Sequence, residues 1–305
     1  MILTVTLNAA LDVTYELPAV AWQGSNRVAA VRERAGGKGV NVARVAAALG
    51  APVIASGLLG GDTGSLIRAD LDQVGLQHSF SPVQGTSRRT LTVVETGSGE
   101  ATVFNESGPR VSEAEWTAFL AHYRTLLPQA EVVVLSGSLP PGVPPNAYAV
   151  LAGEASVPVI IDADGETLTL GVAGRPALVK PNAEELTRAT GEASPLAGAR
   201  ALQASGATSV LVSLGPEGML AVTPEGAWQA VPPAPVSGNP TGAGDSAVAA
   251  AARALSRDDS WPDLLRHAVA VSAAAVVAPV AGDFDAPTYT RLLPEISIKG
   301  VPCPS

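Results

Sequence analysis

Two glycine-bracketed segments of this 305-residue chain hold side chains able to do chemistry. The first reads Gly36-Gly37-Lys38-Gly39-Val40-Asn41. It has the glycine content of a phosphate loop, but a Walker A motif needs Ser or Thr directly after its Lys, and Gly39 stands there. What remains is glycine-rich backbone opening a helix, with one ammonium and one amide side chain near the N-terminus. Open amides and the helix dipole favour an anion or a hydroxyl at such a place. A tight strand-to-helix turn with a solvated Lys would read the same way.

The second segment reads Asn239-Pro240-Thr241-Gly242-Ala243-Gly244-Asp245-Ser246. Gly242, Gly244 and Ala247 also meet the dinucleotide-binding spacing G-x-G-x-x-A. That loop belongs to a first βα unit, with an acidic residue about 20 positions later. Here it lies in the last quarter of the chain, so the match is accidental. The informative residue is Asp245, in the first turn of a helix directly after two glycines. Free amides of Gly242, Ala243 and Gly244 could hold a phosphoryl group in transfer, and the adjacent carboxylate could take a proton from an attacking hydroxyl. An Asp so placed is equally an ordinary N-cap.

Three more loops follow predicted strands: Ser136-Gly-Ser-Leu-Pro-Pro-Gly142, Lys180-Pro-Asn-Ala-Glu-Glu-Leu186 and Ser213-Leu-Gly-Pro-Glu-Gly218. Each can sit at the carboxyl edge of a sheet, where open α/β folds bind ligands. Asn182 and Glu185 are three apart at a helix start and share a face. Such a polar pair suits a hydrated Mg²⁺, which keeps most of its waters. Taken singly, each loop is turn chemistry; five at strand ends form a set.

The elements that must position these loops are legible as a rhythm. Apolar runs at Ile2–Leu7, Val53–Gly57, Val132–Leu135, Val157–Ile161, Ala177–Val179 and Ser209–Val212 read as buried strands. Helical segments such as Gly39–Leu49, Thr63–Val74, Glu184–Ala189 and Gly244–Leu255 follow them. The alternation predicts an α/β fold with a mostly parallel central sheet flanked by helices. Residues 13–34 and 88–105 break the rhythm with β-structure and no intervening helix, which predicts a small β lid. No linker or repeat divides the chain, so residues 1–305 read as a single domain.

Composition narrows the partners. Acidic residues number 28 against 19 basic, a net charge of −9, which lacks the basic footprint of a nucleic-acid binder. Sixteen of the basic residues are Arg, leaving only Lys38, Lys180 and Lys299 as lysines. A single Cys, Cys303, excludes a disulfide framework and suits a reducing cytoplasm. The N-terminus carries no secretion-type pattern, and the Ala/Val run at Ala268–Ala278 is too short to span a membrane. His78, His122 and His267 show no metal-ligand spacing.

From Thr4-Val-Thr-Leu-Asn8-Ala-Ala-Leu-Asp12 to the Ala-rich helix near Ala278, the chain resembles the ribokinase-like, phosphofructokinase B type carbohydrate kinases. Within them it is similar to the 1-phosphofructokinase and tagatose-6-phosphate kinase branch. The resemblance implies a Rossmann-like domain, a β lid that often pairs two subunits, and ATP-dependent phosphorylation of a sugar hydroxyl. It matches Asp245 to the catalytic base and Gly242, Ala243 and Gly244 to the anion hole. Asp12, Gly37, Lys38 and Asn41 fall where the family holds the sugar's hydroxyls and phosphate. Arg88, or its neighbour Arg89, matches an Arg that reaches the substrate phosphate from the lid. Ser136 and Ser138 belong to a loop lining the sugar site. Lys180, Asn182 and Glu185 match residues near ATP phosphates and Mg²⁺, while Ser213, Gly215 and Gly218 match the nucleotide loop.

The departures are Asn8-Ala9 for the family's Asn-Pro and Asn239-Pro240-Thr241 for its Ser-Thr-Val, so a monovalent cation stays a further candidate beside ATP and Mg²⁺. Phe104-Asn-Glu-Ser-Gly-Pro109 is most similar to 1-phosphofructokinase members and implies fructose 1-phosphate, phosphorylated at its C6 hydroxyl. Tagatose-6-phosphate kinase and 6-phosphofructokinase activities are the alternatives within the family. A phosphosugar sensor without turnover is the alternative from another class, and the intact Asp245 and glycines argue against it.

Overall fold

The structure is a computed structural model that describes residues 1–302; Cys303, on which the expectation of a reducing compartment rests, lies outside the described residues. The elements run β1 (Ile2–Thr6), β2 (Ala10–Leu17), β3 (Ala30–Gly36), α1 (Lys38–Ala48), β4 (Val53–Leu59), α2 (Gly61–Gln73), β5 (His78–Pro82), β6 (Arg88–Glu95) and β7 (Ala101–Asn105). Then come α3 (Glu113–Leu126), β8 (Val132–Ser136), α4 (Ala147–Glu154), β9 (Val159–Asp162), α5 (Gly165–Gly171), β10 (Leu178–Val179), α6 (Ala183–Thr190), α7 (Pro195–Ser205) and β11 (Ser209–Ser213). The chain continues through β12 (Met219–Thr223), β13 (Gly226–Val231), α8 (Ala243–Leu255), α9 (Trp261–Val276), α10 (Ala286–Leu292) and β14 (Ser297–Gly300).

The main sheet is ordered β14-β13-β12-β11-β10-β9-β8-β1-β4-β5. From β11 to β5 every neighbouring pair is parallel, as the strand–helix alternation predicts. The antiparallel edge β12–β14 is an addition that the sequence rhythm does not announce. Short turns instead of crossover helices join β11, β12 and β13 there, and β14 returns to the edge only after α8, α9 and α10. Strand β1 sits between β4 and β8, so the direction of winding reverses beside it. Open α/β sheets have their crevice at that point, beyond the carboxyl ends of the strands.

Side-chain alternation along the parallel strands feeds two cores. Ile2, Val132, Val134, Ile160 and Leu211 face one cluster, with α1, α8 and α9; Leu3, Val5, Val133, Leu135, Ile161 and Val210 face the other. In α8 the run Ala247–Ala252 is buried throughout, Val248 being its one larger residue. Small side chains let this helix pack tightly against α1 and α9, which fixes where its N-terminus points. Among the described residues no helix is long and apolar enough to cross a membrane.

A second, four-stranded sheet is ordered β3-β2-β6-β7. Strand β2 runs antiparallel to β3, pairing Ala10 with Gly36, and parallel to β6, pairing Ala10 with Arg88. The β-structure thus starts at residue 10 instead of 13, because the buried Ala10 and Leu11 already lie on the ladder. Its outer part is apolar and bare: Trp22, Val31, Val103 and Phe104 are all exposed.

Candidate active site

The carboxyl ends of β1, β8, β9, β10 and β11 and the N-termini of α1 and α8 open onto one cleft of about 1630 Å³, roofed at one end by the small sheet. Asp12, Gly37, Lys38, Asn41, Arg88, Ser138, Lys180, Asn182, Glu185, Ser213, Gly215, Gly218, Gly242, Ala243, Gly244 and Asp245 all line it. The residues come from both ends of the chain, and the sheet topology brings them together.

How the helices begin explains what faces the cleft. Helices α3, α6, α7, α9 and α10 start on a side-chain cap: Ser112, Asn182, Ser194, Ser260 and Asp285. Helices α1 and α8 start instead on Gly37 and Gly242, with no side-chain cap. Gly242 adopts φ +85°, a left-handed conformation that other L-residues enter only with strain. The Ala243 N–H is taken by the Pro240 carbonyl at 3.1 Å. Among the described residues no acceptor meets the N–H groups of Gly244 and Asp245, so these are the amides left open for an anion.

Asp245 is therefore not the cap of its helix. It sits three residues in, 6% exposed, and its Oδ2 accepts a hydrogen bond from Asn41 Nδ2 at 2.8 Å. Burial, reinforced by the charge of Asp162, pushes its carboxyl up to about 7, against the pull of Lys38, Asn41 and Lys180. A carboxylate that exchanges its proton near neutrality is suited to general-base work.

Asp162, at the end of β9, is the residue that sequence reasoning missed. Its side chain is 1% exposed, and Oδ1 lies 3.4 Å from Lys180 Nζ and 3.5 Å from Lys38 Nζ. Ser136 Oγ donates to Oδ2 at 3.2 Å. Burial alone would raise the Asp162 carboxyl; the two ammonium groups and the Ser136 hydroxyl outweigh it and hold the carboxyl below the ordinary range. Asp162 in turn is the main cause that lifts Lys38 above its ordinary value, with Asp245 and Glu185 adding to it. The other lysine, Lys180, reaches the start of α8: a Cβ on Gly244 would fall 3.2 Å from its Nζ. The sequence signal for Asp162 is a carboxylate closing an apolar strand whose end faces the crevice.

Ser136 is placed differently from the expectation. It is fully buried beneath the cleft, holding Asp162, and it is absent from the cleft wall. As the last residue of β8 it points inward, while Ser138, beyond the turn at Gly137, receives the Asn8 amide at 3.1 Å. Asn182 and Glu185 form a capping box: Asn182 Oδ1 accepts from Glu185 N, and Glu185 Oε2 accepts from Asn182 N, both at 2.8 Å. The pair is thus turn chemistry, with Glu185 Oε1 left outside the box.

On the small sheet, Arg88 and Arg89 are separated by the pleat. Arg88 lines the cleft, its Nε donating to the Asn8 carbonyl at 3.0 Å and its Nη1 to Thr90 Oγ1 at 3.2 Å. Arg89 faces out and pairs with Glu106 at 3.2 Å. Asp12 lies over Gly36, where a Cβ would fall 1.9 Å from Oδ2. Burial pushes the Asp12 carboxyl up to about 6, although Arg88, Thr90 and Arg34 pull it down. The histidines serve packing: His78 pairs with Asp72, His122 bonds Ser79 and His267 bonds Tyr289.

A buried carboxyl with a pKa higher folded than unfolded keeps a proton that the unfolded chain releases, so its stabilising effect fades as pH rises through the folded value. For Asp245 that window runs from the ordinary 3.8 to about 7. Asp245→Asn cannot ionise, so its melting temperature should exceed that of the wild type at about pH 8, the difference closing towards about pH 4. Thermal melts across that range check it; a pH-independent difference would contradict the assigned burial cost.

The family model described as pfkB family carbohydrate kinase matches residues 6–288. Phosphofructokinase-2 from Escherichia coli, solved in complex with fructose-6-phosphate, aligns at 31% identity and a TM-score of 0.87, covering 96% of this chain and 98% of that one. The same enzyme in its tetrameric inhibited form aligns at 32% identity with a TM-score of 0.89, over 96% and 98% of the two chains. A Thermotoga maritima protein described as a possible 1-phosphofructokinase shares the fold at 24% identity, with a TM-score of 0.86 over 99% of both chains.

Proposed function

This chain belongs to the pfkB family of carbohydrate kinases, phosphotransferases that act on a sugar, and from that premise we propose that its acceptor is itself a phosphorylated ketohexose. The substrate we assign is fructose 1-phosphate, phosphorylated by ATP at the C6 hydroxyl to give fructose 1,6-bisphosphate. What supports the reading is a convergence at the start of α8: open amides at Gly244 and Asp245, the Lys180 ammonium over Gly244, and a buried, proton-exchanging carboxylate. Arg88 on the small sheet and Lys38, held on Asp162, both line the cleft, two cations that an uncharged sugar would not need.

In this reading Asp245 Oδ2 stays on Asn41, and the carboxylate takes the proton of the attacking hydroxyl. Phosphoryl transfer demands little covalent chemistry from the protein; positioning and charge stabilisation carry most of it. The Gly244 amide and Lys180 meet the charge on the transferring group, and Asp162 keeps both lysines in place by sharing one oxygen between them. Asp12 holds a sugar hydroxyl, Arg88 the substrate phosphate, and Ser138 the sugar loop. The far wall, with Ser213, Gly215, Gly218, Val236 and Val276, takes the nucleotide.

Among the described residues no group of three His, Cys, Asp or Glu could hold a metal ion. Mg²⁺ needs no such group beside a triphosphate, since one or two carboxylates and several waters suffice. The free Oε1 of Glu185 fits that role through water, with Asn182 keeping Glu185 in place. When bound, Mg²⁺ supplies neutralisation of phosphate charge.

A second reading, fructose 6-phosphate phosphorylated at C1, is favoured by the likeness to the E. coli enzyme solved with that sugar. Both routes end at the same bisphosphate, so product analysis does not separate them. Coupled ADP-release assays with fructose 1-phosphate, fructose 6-phosphate and tagatose 6-phosphate do, through kcat/KM. Fructose 1-phosphate should rank first, and ADP release with none of the three would leave a phosphosugar sensor. Asp245→Asn should lose at least about a hundredfold in turnover. Arg88→Met should raise the KM for the phosphosugar roughly tenfold or more, the loss expected for a charged hydrogen bond, while leaving the KM for ATP unchanged.

The exposed apolar face of the small sheet, with Val31 and Phe104 on it and Trp22 beside them, we assign to pairing with a second copy of the chain through this lid. The E. coli enzyme assembles further, to a tetramer in its inhibited form. Light scattering should give the mass of two chains for the wild type and of one for Phe104→Lys; a monomeric wild type would sink the assignment.

A further inference from the structure

One arginine outside the cleft wall ties the small sheet to the machinery around Asp245. Arg34 stands half-buried on β3, opposite Asp12 in the β2–β3 register. Its Nη1 donates to the Ala281 carbonyl at 3.2 Å and its Nη2 to the Gly282 carbonyl at 3.4 Å. Both acceptors belong to the turn between α9 and α10. Among the described residues no other hydrogen bond joins the small sheet to that turn.

The turn is a wedge between the two groups that set the transfer geometry. On one side it abuts the glycine that opens α8: a Cβ on Gly242 would fall 2.9 Å from Cα and Cβ of Ala281. On the other side it abuts the amide that holds Asp245, since a Cβ on Gly282 would fall 2.8 Å from Asn41 Oδ1. Neither contact leaves room for a methyl group. A shift of the turn therefore moves the Gly242–Gly244 backbone, or Asn41, or both.

We propose that Arg34 is a positioning residue for phosphoryl transfer. By gripping two successive carbonyls of the 281–282 turn, it sets the small sheet, where the acceptor sugar lies, in register with the α8 amides and the Asn41–Asp245 pair. Two parallel donors on a planar fork suit this task, because they fix orientation as well as distance. The inference rests on the transfer centre assigned above. It adds that this centre is assembled only when the sheet carrying Asp12 and Arg88 is docked on the turn. Arg34 does not line the cleft, so its loss should change how well bound substrates are aligned and leave their affinity alone.

The test compares purified wild type with Arg34→Met and Arg34→Lys. For Arg34→Met, kcat should fall roughly ten- to a hundredfold, as misplacement of reacting groups by about 1 Å does. KM for the phosphosugar and for ATP should stay within about twofold, the mark of an interaction spent on alignment. Arg34→Lys, which keeps one donor, should recover part of the loss. Hydrogen exchange read by mass spectrometry should quicken at amides 277–285 in Arg34→Met, whatever the substrate. An unchanged kcat, a rise in KM instead, a loss explained by a smaller folded fraction, or unchanged exchange in that segment would each overturn the proposal. If Arg34→Met does not fold, the Lys variant carries the same comparisons. Wild-type turnover tests the function assignment separately, because the Arg34 effect is read as a ratio to it and the exchange measurement needs no turnover.

Discussion

A carboxylate buried beside a second carboxylate is the constraint around which this molecule is organised. Asp245 is withdrawn from water, which raises its carboxyl towards neutrality, and Asp162 lies close enough to raise it further. Left alone, two buried carboxylates would both take up protons. The two lysines prevent this asymmetrically. Both ammonium groups converge on Asp162 Oδ1, so Asp162 stays ionised, while Asp245 receives only an amide hydrogen bond from Asn41. The same four charges thus hold one carboxylate ionised and leave the other able to exchange a proton near neutrality.

The fold follows from delivering those four groups to one place. Lys38 comes from the end of the small sheet into α1, Asp162 from β9, Lys180 from β10 and Asp245 from α8. They meet because parallel strands beside a reversal in winding send their carboxyl ends to one crevice. Glycine caps at Gly37 and Gly242 keep helix amides uncovered there, whereas α3, α7, α9 and α10 carry Ser or Asp caps. The alanine run of α8 serves the same end, since larger side chains would push its N-terminus away from the sheet.

Much of this was legible because it is contiguous in sequence. Gly242-Ala-Gly-Asp245 announces an open helix start with a carboxylate, and the strand–helix alternation announces the parallel sheet. What was not legible depends on distant pairing. Asp162 meets Lys38, which opens α1 far away in sequence, and nothing local to Ile160-Ile161-Asp162 distinguishes it from any other strand end. Ser136 and Ser138 look equivalent until Gly137 turns the chain between them, sending one beneath the cleft and one into it. The Asn182 and Glu185 pair carries a real ambiguity, since a capping box and a water-held ion use the same two residues. Each carboxylate has two oxygens, and the box takes one. Arg88 and Arg89 differ only by strand parity, which needs the register of β6 against β2 before it becomes a direction.

The scarcity of lysine also acquires a physical reason. Sixteen of nineteen basic residues are Arg, yet both cations at the buried centre are Lys. A guanidinium is a planar fork that prefers to engage both oxygens of one carboxylate, whereas an ammonium is a compact point charge. Here Asp162 Oδ2 is already taken by Ser136, and Oδ1 must serve two cations at 3.4 and 3.5 Å. Over Gly244 the room is tighter still, with Lys180 Nζ only 3.2 Å from where a single methyl carbon would stand. A fork there would cover the open amides that the glycine exposes. On the small sheet, where there is room for a fork, the chain returns to Arg88, which is held by Asn8 and Thr90 and has the cleft in front of it. The choice between the two cations thus follows the space and the number of acceptors at each position.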